Sequence, residues 1–253
     1  MRIGLIETDI LYDDLLQDYG SYGLMFEKYF SHIHDVSLKS TQQPNDNKPL
    51  TFTYYHVQQG ELPLSLDECD AYIVTGSKSG AYENEAWIKQ LSQWVVKANS
   101  AKIKLLGICF GHQLIAYALG GRVEQSNKGW GVGVRTLATV SQSKTALAGV
   151  LTEALPKNIS LIYSHKDQII QLPVGAINFL SDDFCQFAGF TIDNHIITLQ
   201  GHPEFTAEYT QRLLVRRANA IGEPTYSQGI ASLKYATDSE LVGRMILNFL
   251  QAD

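Results

Sequence analysis

Along the chain, short apolar runs take turns with stretches whose apolar positions recur at helical spacing. Residues 2–7 (RIGLIE) read as a first strand. After a polar connection, Leu24, Met25, Phe26, Tyr29, Phe30 and Ile33 share one side of a helix over 23–33. Residues 40–49 (STQQPNDNKP) offer nothing to a core and predict a solvated loop. The aromatic and β-branched run at 52–57 (FTYYHV) predicts a second strand, and 71–75 (AYIVT) a third. A helix is expected over 85–98, with Trp87, Ile88, Leu91, Trp94 and Val95 on its buried face. Residues 104–108 (KLLGI) form the next strand. A helix over 112–119 follows, closed by Gly120 and Gly121.

Such alternation predicts an α/β fold: an open, mostly parallel sheet with helices on both faces. The second half changes character. Apolar runs at 132–140, 159–163, 177–180, 184–192 and 196–199 crowd together with less helix between them. They predict antiparallel additions plus one strand that rejoins the main sheet. Helical patterns return at 207–220 and 238–250. No repeat and no Pro/Gly linker divides the chain, so one domain over 1–253 is expected, with about 221–253 as a packed C-terminal extension. Residues 13–22 (DDLLQDYGSY) are candidates to border the mouth of a site.

Composition narrows the function classes. Hydrophobic residues at 45% and charged residues at 18% suit a water-soluble globular protein, and a net charge of −6 argues against nucleic acid as a partner. The three cysteines, Cys69, Cys109 and Cys185, make neither a disulfide framework nor a metal-ligand spacing. The N-terminus lacks the marks of a secretory leader, and no apolar run reaches the roughly 20 residues of a membrane span. A cytoplasmic protein with neither metal nor organic cofactor is the expectation.

One cysteine stands apart. Residues 105–121 read LLGICFGHQLIAYALGG, placing Cys109 between two glycines where a strand gives way to a helix. In an open parallel sheet, ligands bind beyond the carboxyl ends of the strands. Gly107-Ile108-Cys109-Phe110-Gly111 has the form of a nucleophile elbow with cysteine in place of serine. Such a turn lifts the sulfur above the sheet at a helix N-terminus, where partial positive charge favours thiolate. Alone, the pattern is equally consistent with a buried thiol.

A nucleophilic cysteine needs a base, and the base needs an orienting group. Residues 199–205 (LQGHPEF) put His202 just past another apolar strand. Pro203 holds His202 extended, so the side chains of His202 and Glu204 project the same way. Glu204 can then accept from one imidazole nitrogen and leave the other for Cys109. Taken alone, HPE also fits an exposed turn.

Together ICFGHQ, GHPEF and the Thr75-Gly76-Ser77 loop resemble the class I (triad) glutamine amidotransferases. The similarity is to standalone GMP-synthase-like amidotransferases and γ-glutamyl peptidases in particular. It runs from the first strand to about Ala220, with the motifs in the family's order. The resemblance implies a flavodoxin-like class I glutaminase fold, with Cys109 as nucleophile, His202 as general acid/base and Glu204 as its orienter. It further implies an oxyanion hole from the N–H groups of Ser77 and Phe110, and substrate contacts from Gly76, Gln113, Ser164 and His165. One departure stands out: the family commonly shows Gly-Gly-Pro where this chain has Gly76-Ser77-Lys78. A positive φ at Ser77 would cost more than at glycine.

The resemblance thus implies cysteine-nucleophile hydrolysis of the γ-glutamyl amide of glutamine or a γ-glutamyl compound, through a thioester. Two readings compete: a glutaminase subunit delivering ammonia to a separate synthetase, and a non-catalytic binding module on the same scaffold. A broader cysteine peptidase is a weaker fourth reading. No Gly-x-x-x-x-Gly-Lys-Ser/Thr and no second α/β unit is visible for a fused synthetase, which favours the hydrolase.

Overall fold

The structure, a computed structural model, describes residues 1–40, 49–140 and 155–252. The loop expected at 40–49 lies almost wholly outside them. Five strands run parallel: β1 (Arg2–Glu7), β2 (Thr51–His56), β3 (Ala71–Val74), β4 (Lys104–Ile108) and β11 (Ile196–Leu199). Four more join through antiparallel pairing: β6 (Gly131–Thr139), β7 (Asn158–His165), β9 (Ala176–Ser181) and β10 (Gly189–Ile192). The sheet order is β2-β1-β3-β4-β11-β10-β9-β6-β7. The strand that rejoins the parallel part is β11. Two short strands, β5 (Arg122–Gln125) and β8 (Asp167–Gln171), form a separate antiparallel ribbon.

The two faces bury alternate residues of each central strand, as the period of two requires. Ile73 and Leu106 pack with Phe26 and Phe30 of α2 (Tyr22–Ser40) and with Val242, Ile246 and Phe249 of α7 (Ser239–Gln251). Tyr72, Val74 and Leu105 face Leu91 and Trp94 of α3 (Ala86–Ser100) and Leu114 of α4 (Phe110–Ala118). Helices on both faces cover the apolar sheet that the sequence pattern requires.

Some expected bounds shift, each for a local reason. The helix expected from 112 starts at Phe110, directly after Cys109. The strand expected over 184–192 occupies only β10, because the Asp182 carboxylate accepts from the backbone N–H groups of Phe184 and Cys185 (3.0 and 2.6 Å) and folds 182–185 into a turn. The stretch at 13–22 contains a short helix, α1 (Asp13–Tyr19), which buries Leu15 alone. The extension beyond Ile221 holds α6 (Thr225–Ser232), whose Ser232 hydroxyl accepts from the Val134 N–H at 2.8 Å. Among the described residues, no helix is long and apolar enough to cross a membrane.

Strand register decides where the motifs meet. Val74 of β3 lies opposite Gly107 of β4, and Leu199 of β11 opposite Ile108. The segments after β3, β4 and β11 therefore leave the same edge of the sheet side by side. The Cys109 N–H continues the ladder by donating to the Leu199 carbonyl at 2.9 Å.

Candidate active site

Cys109 sits at the junction of β4 and α4 with φ 54° and ψ −101°, a backbone conformation that side-chain-bearing residues rarely adopt. Two contacts lock it there. The Gly111 N–H donates to the Thr75 carbonyl at 3.1 Å, and a Cβ on Gly111 would lie 2.1 Å from the Val74 oxygen. The α4 backbone thus rides directly on the end of β3, a fit that glycine alone permits. The strain is carried by the cysteine, as in turns that present a nucleophile.

His202 and Glu204 follow β11. The His202 N–H donates to the Ile162 carbonyl at 2.8 Å, tying the segment to β7. Phe205 stacks on the imidazole, with ring centroids 3.8 Å apart and planes within 8°. Glu204 Oε1 lies 2.7 Å from His202 Nδ1, and both side chains are buried. The other imidazole edge faces Cys109: a Cβ on Gly76 would lie 3.0 Å from His202 Cε1, 3.9 Å from its Nε2 and 3.7 Å from Cys109 Cβ. Burial pushes the imidazole pKa down. The Glu204 carboxylate, the Cys109 sulfur and hydrogen bonds to both outweigh burial and raise it to about 10. His202 is therefore an imidazolium at neutral pH.

The Gly76–Ser77 loop is held from β1. The Thr8 hydroxyl donates to the Gly76 carbonyl at 2.9 Å, and the Ser77 hydroxyl donates to the Thr8 carbonyl at 3.0 Å while accepting from the Ser79 N–H. The Lys78 N–H donates to Asp9 at 2.9 Å. The positive φ weighed for Ser77 does not occur. Its side chain instead braces the loop, a role glycine could not fill. Among the described residues, neither the Ser77 nor the Phe110 backbone N–H has a hydrogen-bond partner.

The remaining candidates line a cleft of about 370 Å³ that opens from Cys109. Gln113 reaches it, but its amide nitrogen is engaged by the Asp167 carbonyl (2.8 Å) and Gln200 Oε1 (3.0 Å). His165 Nδ1 bonds the Asp167 carbonyl at 3.0 Å, and burial pushes its pKa down to about 4, so the ring is neutral. Its Nε2 is buried without a partner. Ser164 lines the cleft with its hydroxyl bonded to Arg217. His112 points away from the cleft to Thr198 and the Phe187 carbonyl, as the elbow geometry requires.

Two further residues sit at the centre: Tyr22, the last of the 13–22 stretch expected to border the site, and Arg217, which sequence reading missed. Tyr22 and Arg217 line the narrow cavity shared by Cys109, His202 and Ser77. Neither belongs to a contiguous motif; Arg217 lies a full three turns into the helix that follows HPEF, and no local signal marks it.

The family model for class-I glutamine amidotransferases matches residues 18–219. Gamma-glutamyl peptidase 3 of Arabidopsis thaliana is 32% identical over 168 residues, which cover 65% of this chain and 67% of that protein. The glutamine-hydrolyzing GMP synthase of Thermotoga maritima is 30% identical over 152 residues, 60% of this chain but 28% of the synthase. Among solved structures, a glutamine amidotransferase from Thermotoga maritima has the same fold, with a TM-score of 0.73 at 20% identity, covering 100% of this chain and 99% of that one. With the family model spanning most of its length, this chain belongs to the class-I glutamine amidotransferases.

Proposed function

We propose that this protein hydrolyses the γ-glutamyl amide bond of glutamine or a γ-glutamyl compound, with Cys109 as nucleophile. The observation that carries the reading is the strained Cys109 beside an imidazolium whose far nitrogen is held by a buried carboxylate. The thiolate attacks the δ-carbonyl carbon and a C–S bond forms. The oxygen takes up the negative charge, facing the unpartnered N–H groups of Phe110 and Ser77. A donor so placed contributes about 3 kcal/mol of transition-state stabilisation. The C–N bond then breaks as His202 passes its proton to the leaving nitrogen. Neutral His202 next takes a proton from water, whose oxygen attacks the thioester; the C–S bond breaks and glutamate leaves. Glu204 keeps the ring in the one orientation that serves both transfers.

Purified protein should release glutamate from glutamine or from γ-glutamyl dipeptides, and Cys109→Ala should abolish that release without unfolding the chain. Full activity in Cys109→Ala would sink the mechanism. A second reading, a glutaminase that passes ammonia to a separate synthetase, draws on the similarity to one part of a GMP synthase. It predicts slow hydrolysis of glutamine alone, with stimulation by an ATP-using partner recovered in a pull-down.

A further inference from the structure

Three arginines lie close together on α5 (Ala207–Ile221), and they are not used alike. Arg212 pairs with Asp14 (3.2 Å) and Asp18 (2.5 Å), and Arg216 pairs with Asp14, fastening α1 to α5. Arg217 faces the other way. Among the described residues it has no carboxylate within ion-pair distance. Its guanidinium donates to the Ser164 hydroxyl at 2.9 Å and lies 5.7 Å from the centre of the Trp130 ring. A half-buried cation with spare donors, beside an aromatic face and above a nucleophile, suits an anionic ligand group.

Position indicates which part of the substrate that group belongs to. The cleft and the narrow cavity around His202 share Cys109, Ser77, Ser164 and Arg217. Arg217 is the one cation lining both, among the described residues. Lys78 and Lys166 line the cleft but not the cavity around His202, and Lys78 is already paired with Asp9 at 3.3 Å. Gln113, His165, Asp167 and Glu83 line the cleft but not the cavity around His202. His202 must hand its proton to the leaving nitrogen, so the leaving group occupies the side where His202 and Arg217 meet. In a γ-glutamyl dipeptide, the carboxylate of the leaving amino acid is attached one carbon from that nitrogen.

We propose that Arg217 and Trp130 form a leaving-group subsite selecting γ-glutamyl peptides whose departing amino acid carries a free α-carboxylate. The inference rests on the hydrolase reading above and names its substrate class. Arg217 binds the carboxylate, and Trp130 covers the adjoining side chain. Glutamine, whose leaving group is ammonia, leaves the subsite empty.

The test compares γ-glutamylglycine, γ-glutamylglycinamide and glutamine, which differ on the leaving side alone. Binding is measured by calorimetry in Cys109→Ala, and turnover in protein with the cysteine intact. The acid should bind about tenfold or more tightly than its amide. Arg217→Gln should erase that preference, raising KM for the acid by a larger factor than for glutamine or the amide, whatever common loss all three share; Arg217→Lys should keep part of it. Equal binding of acid and amide to Cys109→Ala overturns the subsite. So does an equal loss for all three substrates in Arg217→Gln, which would place Arg217 on the glutamyl side or in support of Ser164. Acid preference in binding without glutamate release from any substrate would uphold the subsite and refute the hydrolase reading instead.

Discussion

At the scale of single residues, the site depends on one unfavourable backbone conformation and one unusual proton. Cys109 at φ 54° is a strain of about 1–3 kcal/mol that its surroundings must hold in place. The His202 proton is held by Glu204 and by Cys109 against burial. Because its folded pKa is raised from 6.5 to about 10, the stability it contributes is fully present below 6.5 and is lost as pH rises through about 10. In Glu204→Gln the imidazole should titrate at lower pH, seen by NMR of the ring protons, and the alkaline fall in melting temperature should shift with it. The same variant should lose turnover by about 10²- to 10⁴-fold, since the ring loses its fixed orientation and its charge partner. An unchanged His202 titration in Glu204→Gln would break the link between pair and proton.

These residues were legible in sequence because elbow and HPE are contiguous, with chemistry and local geometry encoded within a few positions. Arg217 was not, because its place beside Cys109 depends on how α5 packs rather than on its own neighbours; Tyr22 was covered only by the broad expectation that 13–22 borders the site. The serine at 77 was read as a liability. Its hydroxyl bond to the Thr8 carbonyl is a tertiary contact that no local pattern announces.

At the scale of elements, the junction of β3, β4 and α4 does the positioning. Gly111 seats α4 against the Val74 carbonyl, so Gly111→Ala must push the helix off the strand. That change should cost about 3 kcal/mol, read by denaturant unfolding, and should lower turnover beyond what the unfolded fraction explains. A fully active Gly111→Ala protein of normal stability would show that the elbow does not depend on this contact. The parallel strands were readable from alternation and length. The ribbon of β5 and β8 was not: β5 spans only four residues and buries only Val123, too little to give a periodic signal. Helix α1 escaped for the same reason, since Leu15 is the one residue it buries.

At the scale of the molecule, three thiols sit in three settings. Burial pushes Cys185 up to about 12 and raises Cys69 as well, whereas Cys109 borders the cleft beside an imidazolium. Limited iodoacetamide at neutral pH should therefore modify Cys109 first, as read by peptide mass spectrometry. Comparable labelling of all three would contradict the assignment of reactivity to one site. The overall topology, a parallel half extended by antiparallel strands, was legible from the change in spacing at mid-chain. Which strand returned to lie beside β4 was settled only by the pairing of β11, and that pairing brings His202 to Cys109.

The central claim is a covalent γ-glutamyl thioester on Cys109. Its most direct test is rapid mixing with a γ-glutamyl dipeptide, acid quench and mass mapping of the protein. The predicted result is a single γ-glutamyl adduct on the peptide containing Cys109, absent from Cys109→Ala and sensitive to mild base. Glutamate release with no adduct at Cys109, or an adduct at another residue, would contradict the account.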